Sequence, residues 1–208
     1  MSTATLETVR AAIGAIMQAV PGIGIVHPYE RYAATEPRFA SLYMWQPPEY
    51  DRKPELRGWF IRRVGHRETA YRSTANELSI DWQLRGYMAI QDALQSEITM
   101  DNLVEQLRFA ILADVTLGGL LDVPLPQDAP LGAQLVESGP YMFAGVLCHG
   151  VRLDWTTSYQ RDLRDDLSAA GDFRIFHANW DIPPHGNVQP PLPADATADA
   201  TDHVLIPE

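Results

Sequence analysis

Lysine is almost missing from this chain: Lys53 stands alone among 16 basic residues, so nearly all the positive charge is arginine. Cysteine is as scarce. Cys148 has no partner for an internal disulfide, which fits a reducing compartment. No apolar run approaches the ~20 residues that a membrane-spanning helix needs. The first twenty residues place an acid before their apolar part and have no basic start, which argues against a secretory signal. With 27 acidic residues the net charge is −11 and the pI near 4.9. Tight binding to a phosphate backbone needs clustered cations and is disfavoured on that ground. No HExxH, HxH, GxSxG, Walker loop or GxGxxG occurs. Gly22-Ile23-Gly24 follows a helix instead of joining a strand to one, and reads as a turn.

The strongest positive signal runs from Asn76 to Gln91. Leu78, Ile80, Trp82, Leu84, Met88 and Ile90 share one parity, broken only by Gly86. Glu77, Ser79, Asp81, Gln83, Arg85, Tyr87 and Gln91 share the other, with Ala89 among them. Side chains alternate across a strand, so this is one long strand with an oily face and a wet face. At ~3.3 Å per residue it would run on the order of 50 Å, well beyond a usual strand. A strand of that length is expected to project past the sheet as a half-polar hairpin, a form suited to reaching a neighbouring subunit.

Elsewhere the pattern is mixed. Leu6, Val9, Ile13, Ile16 and Val20 recur at helical spacing, predicting a helix over 4–20, capped by Thr3 or Thr5 and stopped by Pro21-Gly22. An extended segment is expected over 23–29. Residues 33–55 read as irregular around Pro37, Pro47, Pro48 and Pro54, with a strand at 40–45. Residues 56–64 read as a strand and 65–75 as the polar tip before the long strand. A second helix is expected from Thr99 to about Val115, burying Met100, Leu103, Val104, Leu107, Ile111 and Leu112, and ending before Gly118-Gly119. Strands are expected over 133–137 and 142–157. Strands run together instead of alternating with helices. The expected fold is therefore α+β, a mainly antiparallel sheet with two helices packed on one face, a long projecting hairpin and an extended C-terminal arm. The domain would occupy 1–170 and the arm 171–208, where Pro183, Pro184, Pro190, Pro191 and Pro193 disfavour a helix or central strand. Phe173, Ile175, Phe176, Trp180 and the terminal Val204 to Pro207 are costly to leave in water, so the arm should dock, on a neighbour or back on its own domain.

Few residues offer chemistry. His27, His66, His149, His177, His185 and His203 are scattered, and none pairs at metal-ligand spacing. Cys148 beside a strand reads as a small buried residue before it reads as a nucleophile. Asp162, Asp165 and Asp166 interleave with Arg161 and Arg164, a solvated, salt-bridged run before a cation site. No catalytic residue, metal or cofactor is expected. The densest basic patch is Arg62, Arg63, Arg67 and Arg72 near the hairpin tip. With the flanking acids and the global charge, it suits an acidic partner surface better than nucleic acid. These arginines, with Phe173, Phe176 and Trp180 of the arm, are the candidate subunit interface.

Several features together resemble the tail terminator (tail completion) family of long-tailed bacteriophages. They are the N-terminal helix ending in Pro-Gly, VRAAIGAIMQAVPGIG, and the YER that follows. Next come the strand ELSIDWQLRGYMAI, the helix SEITMDNLVEQLRFAIL closing on ADVTLGG, and the strand GVLCHGVRLDWTTSYQRD. The resemblance covers roughly residues 4–160. It implies a small α+β domain in a hexameric ring that caps the tail tube and meets the head connector, with DNA passing through the lumen without specific binding. It implies a structural, non-catalytic protein made in the host cytoplasm and located in the tail or neck of the virion. The segment around 33–55 and the arm depart from that pattern. A different neck or tail-tube protein, or a small-ligand binding protein or enzyme with a dispersed site, are the competing readings.

Overall fold

The computed structural model describes residues 4–48, 52–72, 75–121, 130–162, 175–180 and 200–205. The chain divides into two compact units, Met1–Leu163 and Arg164–Glu208.

The first unit begins with α1 (Leu6–Ala19). Its start is a reciprocal cap: the Thr8 N–H donates to Thr5 Oγ1 at 3.1 Å, and the Thr5 N–H donates to Thr8 Oγ1 at 2.8 Å. Val9, Ile13 and Met17 are its buried stripe. β1 (Ile25–His27) then pairs parallel with Gly58–Phe60 of a later strand. The next segment differs from expectation. Pro37 lies in the first turn of a short helix, α2 (Glu36–Ser41), and of the strand expected over 40–45 only β2 (Met44–Trp45) remains. A proline in the first helical turn forgoes an N–H that would have no partner there, so it starts a helix as readily as it breaks one.

β3 (Glu55–Arg72) and β4 (Ala75–Ala89) form the long hairpin, in register from Arg57↔Met88 to Arg72↔Ala75. Residues 65–72, expected as a polar tip, are strand. Ladder pairing is a backbone property, and a polar sequence solvated on both faces hides it. β4 does not run past the sheet as expected. β6 (Val146–Asp162) follows it on the other edge from Ala75↔Asp162 to Ala89↔Cys148, so the long end is three strands wide. β5 (Gln134–Phe143) joins β6 through Ala144-Gly145, both at positive φ (51° and 74°), a two-residue turn matched to strand twist. Met142 and Phe143 therefore close β5 instead of opening the last long strand. Pro140 is tolerated because β5 is an edge. The sheet order is β1-β3-β4-β6-β5, with β2 also on β3, and only β1–β3 is parallel.

α3 (Ser96–Ala113) starts three residues before Thr99, after a short 3-10 turn at Asp92–Leu94 and with Gln95 at φ 50°. The Gln91 N–H donates to Ser96 Oγ at 2.8 Å, which fixes the turn from β4 into the helix. At the other end the Asp114 carboxylate accepts from the Gly118 N–H at 2.8 Å, and Gly118 and Gly119 take positive φ, as the stop signal implied.

The fold is α+β, and α1 and α3 pack on one sheet face. There Val9, Ile13, Met17, Met100, Leu107 and Ile111 meet Trp59, Ile61, Ile80, Trp82, Leu84, Leu153 and Trp155. Leu78 packs against this core only partly buried. Gly86 breaks the β4 pattern for a reason: a Cβ there would lie 2.6 Å from the Trp59 indole, which fills its place. The opposite face is not wholly wet. Tyr43, Leu56, Phe60, Phe143 and Cys148 form a second core, with Phe39, Tyr87 and Ala89 packed on it. Tyr87 and Phe143 stack at 3.9 Å between centroids. The sequence parity that put Tyr87 and Ala89 on the solvent face was right about the face. It could not show that α2 and β2 cover that end.

In the second unit, β7 (Ile175–Trp180) and β8 (Ala200–Leu205) pair antiparallel from Ile175↔Leu205 to Trp180↔Ala200. The local pairing differs from the expected arm, which was to have none. Pro183, Pro184, Pro190, Pro191 and Pro193 fall between the two strands in sequence and no proline within either. Where the arm docks lies outside the described residues.

Trp82 carries the heaviest packing on β4, and its indole N–H donates to the buried Thr157 hydroxyl at 2.9 Å. Trp82→Ala is expected to cost about 3–5 kcal/mol in denaturant unfolding. Trp82→Phe is expected to cost less, about 1–3 kcal/mol, since it leaves the Thr157 hydroxyl without a partner.

Candidate functional site

His27 and His149 are both engaged in holding the fold. His27 Nε2 lies 2.8 Å from the Leu42 carbonyl. His149 Nε2 lies 3.1 Å from Ser96 Oγ, but that oxygen already accepts from the Gln91 N–H, so the pair clamps α3 to β6. Among the described residues no three histidine, cysteine or acidic side chains gather as metal ligands. Of the acidic run near 161–166, only Arg161 and the backbone of Asp162 lie within the described residues. No helix among them is long and apolar enough to cross a membrane.

Two polar constellations stand out that the sequence reading missed. Glu55 and Arg57 are buried and paired at 2.5 Å. Arg57 also donates to the Gly22 carbonyl at 2.8 Å and stacks on the Trp45 ring at 4.4 Å, while Gln91 donates to Glu55 at 3.1 Å. The cluster ties the turn after α1, β2 and the exit of β4 to one point on β3. Its signal was the i, i+2 spacing of an acid and an arginine on a strand, which puts both on one face. The second constellation is a cavity of about 620 Å³ on the sheet face away from α1 and α3, lined by Arg67, Ser79, Asp81, Asp154, Thr156 and Ser158 among others. Thr156 donates to Asp81 at 2.7 Å and Ser79 meets Ser158 at 2.8 Å, so its hydroxyls satisfy one another across β4 and β6.

Of the predicted interface residues, Arg62, Arg63 and Arg67 lie along one stretch of β3 but on both of its faces. Arg62 lies opposite Gln83 and Arg67 opposite Ser79 on the polar face, whereas Arg63 lies opposite Trp82. A bulge between Arg63 and Gly65 separates them and leaves Val64 48% exposed. Arg62 reaches Glu30 only at 3.8 Å. Arg72 pairs with Ala75 in the backbone ladder, and its side chain lies outside the described residues. Phe176 and Trp180 are on β7, opposite Val204 and Ala200, their side chains likewise undescribed; Phe173 is outside altogether.

An apolar surface went unforeseen. Leu112, expected in the core, is 41% exposed. Ile98 and Phe109 are 56% and 74% exposed. At 100° per residue these three fall on the outward side of α3, opposite Met100, Leu107 and Ile111, with the polar Asp101, Asn102 and Glu105 between Ile98 and Phe109. Helical periodicity could have located Phe109 and Leu112 as an outward i, i+3 pair. An open groove of about 550 Å³ lies beside Phe109, between α3 and the end of α1.

No protein-family model matches the chain, and no curated protein matches it.

Cys148 is fully buried in the aromatic core, and desolvation pushes its thiol up from 9.0 to about 11. The thiolate is the reactive form. Cys148 in the native protein is therefore expected to resist maleimide at pH 8 and to react once unfolded, a difference of about a hundredfold or more in rate. The folded value is the raised one, so the folded state keeps a proton that the unfolded chain loses above about 9. The stabilisation is whole below that pH and is lost as pH rises through about 11. Alkaline unfolding of Cys148→Ala against the parent protein measures it.

Proposed function

We propose that this chain is a structural ring subunit of the tail terminator type, which closes a phage tail tube and offers a surface to the head connector. The observation that carries the reading is the outward apolar side of α3. Ile98, Phe109 and Leu112 lie on a helix whose other side is fully committed to the core. Phe109 and Leu112 neighbour one another at i, i+3, Phe109 stands beside an open groove, and large apolar side chains exposed together on a regular element suit a contact surface. The element order of the resemblance supports the same reading: a capped helix ending in Pro-Gly, a long strand running into a helix that closes on Asp-x-Thr-Leu-Gly-Gly, and a last long strand. Charge fits as well, because an acidic ring would let DNA pass without holding it.

Imaging of tails assembled with and without the protein tests the role. One ring of six copies at the head-proximal end of the tube is the expected result. Open-ended stacking of the purified protein into tubes would make it a tube protein instead, and a single copy that stays single on the finished particle would end the ring reading. Truncation before Gly171 is expected to leave the first unit folded, since the division between units falls at Leu163 and Arg164, while ring assembly weakens. Circular dichroism and sedimentation of the truncated chain separate the two effects; normal assembly would show that the second unit takes no part in the ring.

A further inference from the structure

We infer that the groove between α3 and the end of α1 receives the β3 bulge of a second copy of this chain. The proposal rests on the ring reading and names the two surfaces that would meet in it.

The groove is lined by Ala19, Val20, Pro21, Gln106, Phe109 and Ala110, with Glu105 at its rim. Its walls are small or apolar, and Phe109 stands over it as the most exposed large hydrophobic side chain among the described residues. On the other side of Phe109, Glu97, Asp101 and Glu105 follow at helical spacing, an acidic row one step round the helix. Glu105 meets Arg108 of its own helix at 2.8 Å; neither Glu97 nor Asp101 has an ion-pair partner among the described residues. The surface is therefore an apolar slot, an aromatic ring and an acidic row, side by side.

The bulge is its complement. Arg62, Arg63, Val64, Gly65, His66 and Arg67 lie where β3 has outrun β1 and β2, so no strand covers their outer edge among the described residues. Val64 is exposed at the bulge, flanked by Arg62 and Arg67 on one face and Arg63 on the other, in a chain of net charge −11. The guanidinium groups would pass over the face of Phe109, a favoured cation–π arrangement, to reach the acids beyond. Like charges elsewhere on so acidic a surface would repel a copy docked in another orientation, which adds specificity to the contact.

Strand-to-strand addition is the obvious alternative, and the two longer free edges, β5 and the far part of β3, are guarded against it. β5 carries Pro140, which has no N–H to give, and an irregularity between Leu135 and Glu137. The free stretch of β3 is broken by the bulge itself. Bulges and prolines on edges are how sheets avoid pairing with other chains. Docking through side chains avoids the obstacle. The groove and the bulge are different surfaces, so the contact is head-to-tail, and such contacts close into rings when the rotation per subunit permits.

A charge swap in the full-length chain tests the assignment. One variant carries Arg62→Glu, Arg63→Glu and Arg67→Glu; another carries Glu97→Arg, Asp101→Arg and Glu105→Arg; a third carries all six. Thermal melting identifies any variant that does not fold. Arg63→Glu and Asp101→Arg, single changes at exposed positions with no ion pair among the described residues, stand in for a set that fails. Ring formation is read by sedimentation over a concentration series, and by capping of purified tail tubes if the free chain is monomeric. Each one-sided variant is expected to assemble at least about tenfold more weakly, and the combined variant to recover most of that loss. Rings that form equally well in a one-sided variant, or that fail to recover in the swap, overturn this interface and leave the ring reading standing. A parent chain that forms no ring alone or on tubes overturns the ring reading, and the interface with it.

Discussion

The first unit depends on the pairing of β4 along both of its edges. Residues 75–88 pair with β3 on one side and 75–89 with β6 on the other, so almost no part of the strand is left as an edge. A strand held in this way presents two fixed faces with period two, and every layer of the unit is organised by them. Ile80, Trp82 and Leu84 receive α1 and α3 on one side. Tyr87 and Ala89 receive the aromatic cluster under α2 on the other. A slip of one residue would exchange the faces, burying Asp81 and Gln83 and exposing Trp82. The Trp59 ring over Gly86 opposes such a slip, because no other β4 position leaves room for an indole.

The two ends of the sheet have different tasks as a result. Near β1 and β2 both faces are covered, and the buried Glu55–Arg57 pair joins four segments there. A buried ion pair is weak evidence of stability, because desolvation of both charges offsets their attraction. Its value here is positional: satisfying Arg57 requires the Gly22 carbonyl, the Trp45 ring and Glu55 together. At the other end β3, β4 and β6 extend beyond β1, β2 and β5, and Ser79, Ser158, Asp81 and Thr156 bond across the strands. That end gives the long, solvated surface on which the bulge and its arginines are displayed.

Function in this reading comes from what the folded unit leaves uncovered. Nothing in the fold requires Phe109 or Val64 to be apolar, since neither belongs to a core cluster. Their exposure in a chain with many charged residues to place there is the physical reason to look for a partner. A ring subunit fits that distribution: a rigid α+β body, contact surfaces on different elements, and a second unit with its own strand pair.

Much of this was legible in the residues themselves. Side-chain alternation located β4, and helical spacing located α1 and α3, because both signals are local and repeat over many residues. Capping by Thr5 and the Gly118-Gly119 stop are likewise local chemistry. What depended on distant segments was not legible. The polar stretch 65–72 became strand because β4 pairs with it, and Tyr87 became part of a core because α2 and β2 lie above it. Leu112 turned outward because Ile111 and Leu107 occupy the side of α3 that the sheet can reach, a choice between two sides of the helix that periodicity alone leaves open. The arginines near the hairpin were separated by a bulge, which is a property of pairing with β4. The sequence by itself determined where the long elements run and which parity or stripe each one offers, since those follow from backbone geometry and hydrophobicity. Which stripe is buried, which edge is guarded and which apolar side chains are left for a partner was decided only by tertiary structure, because burial is a relation between segments far apart in the chain.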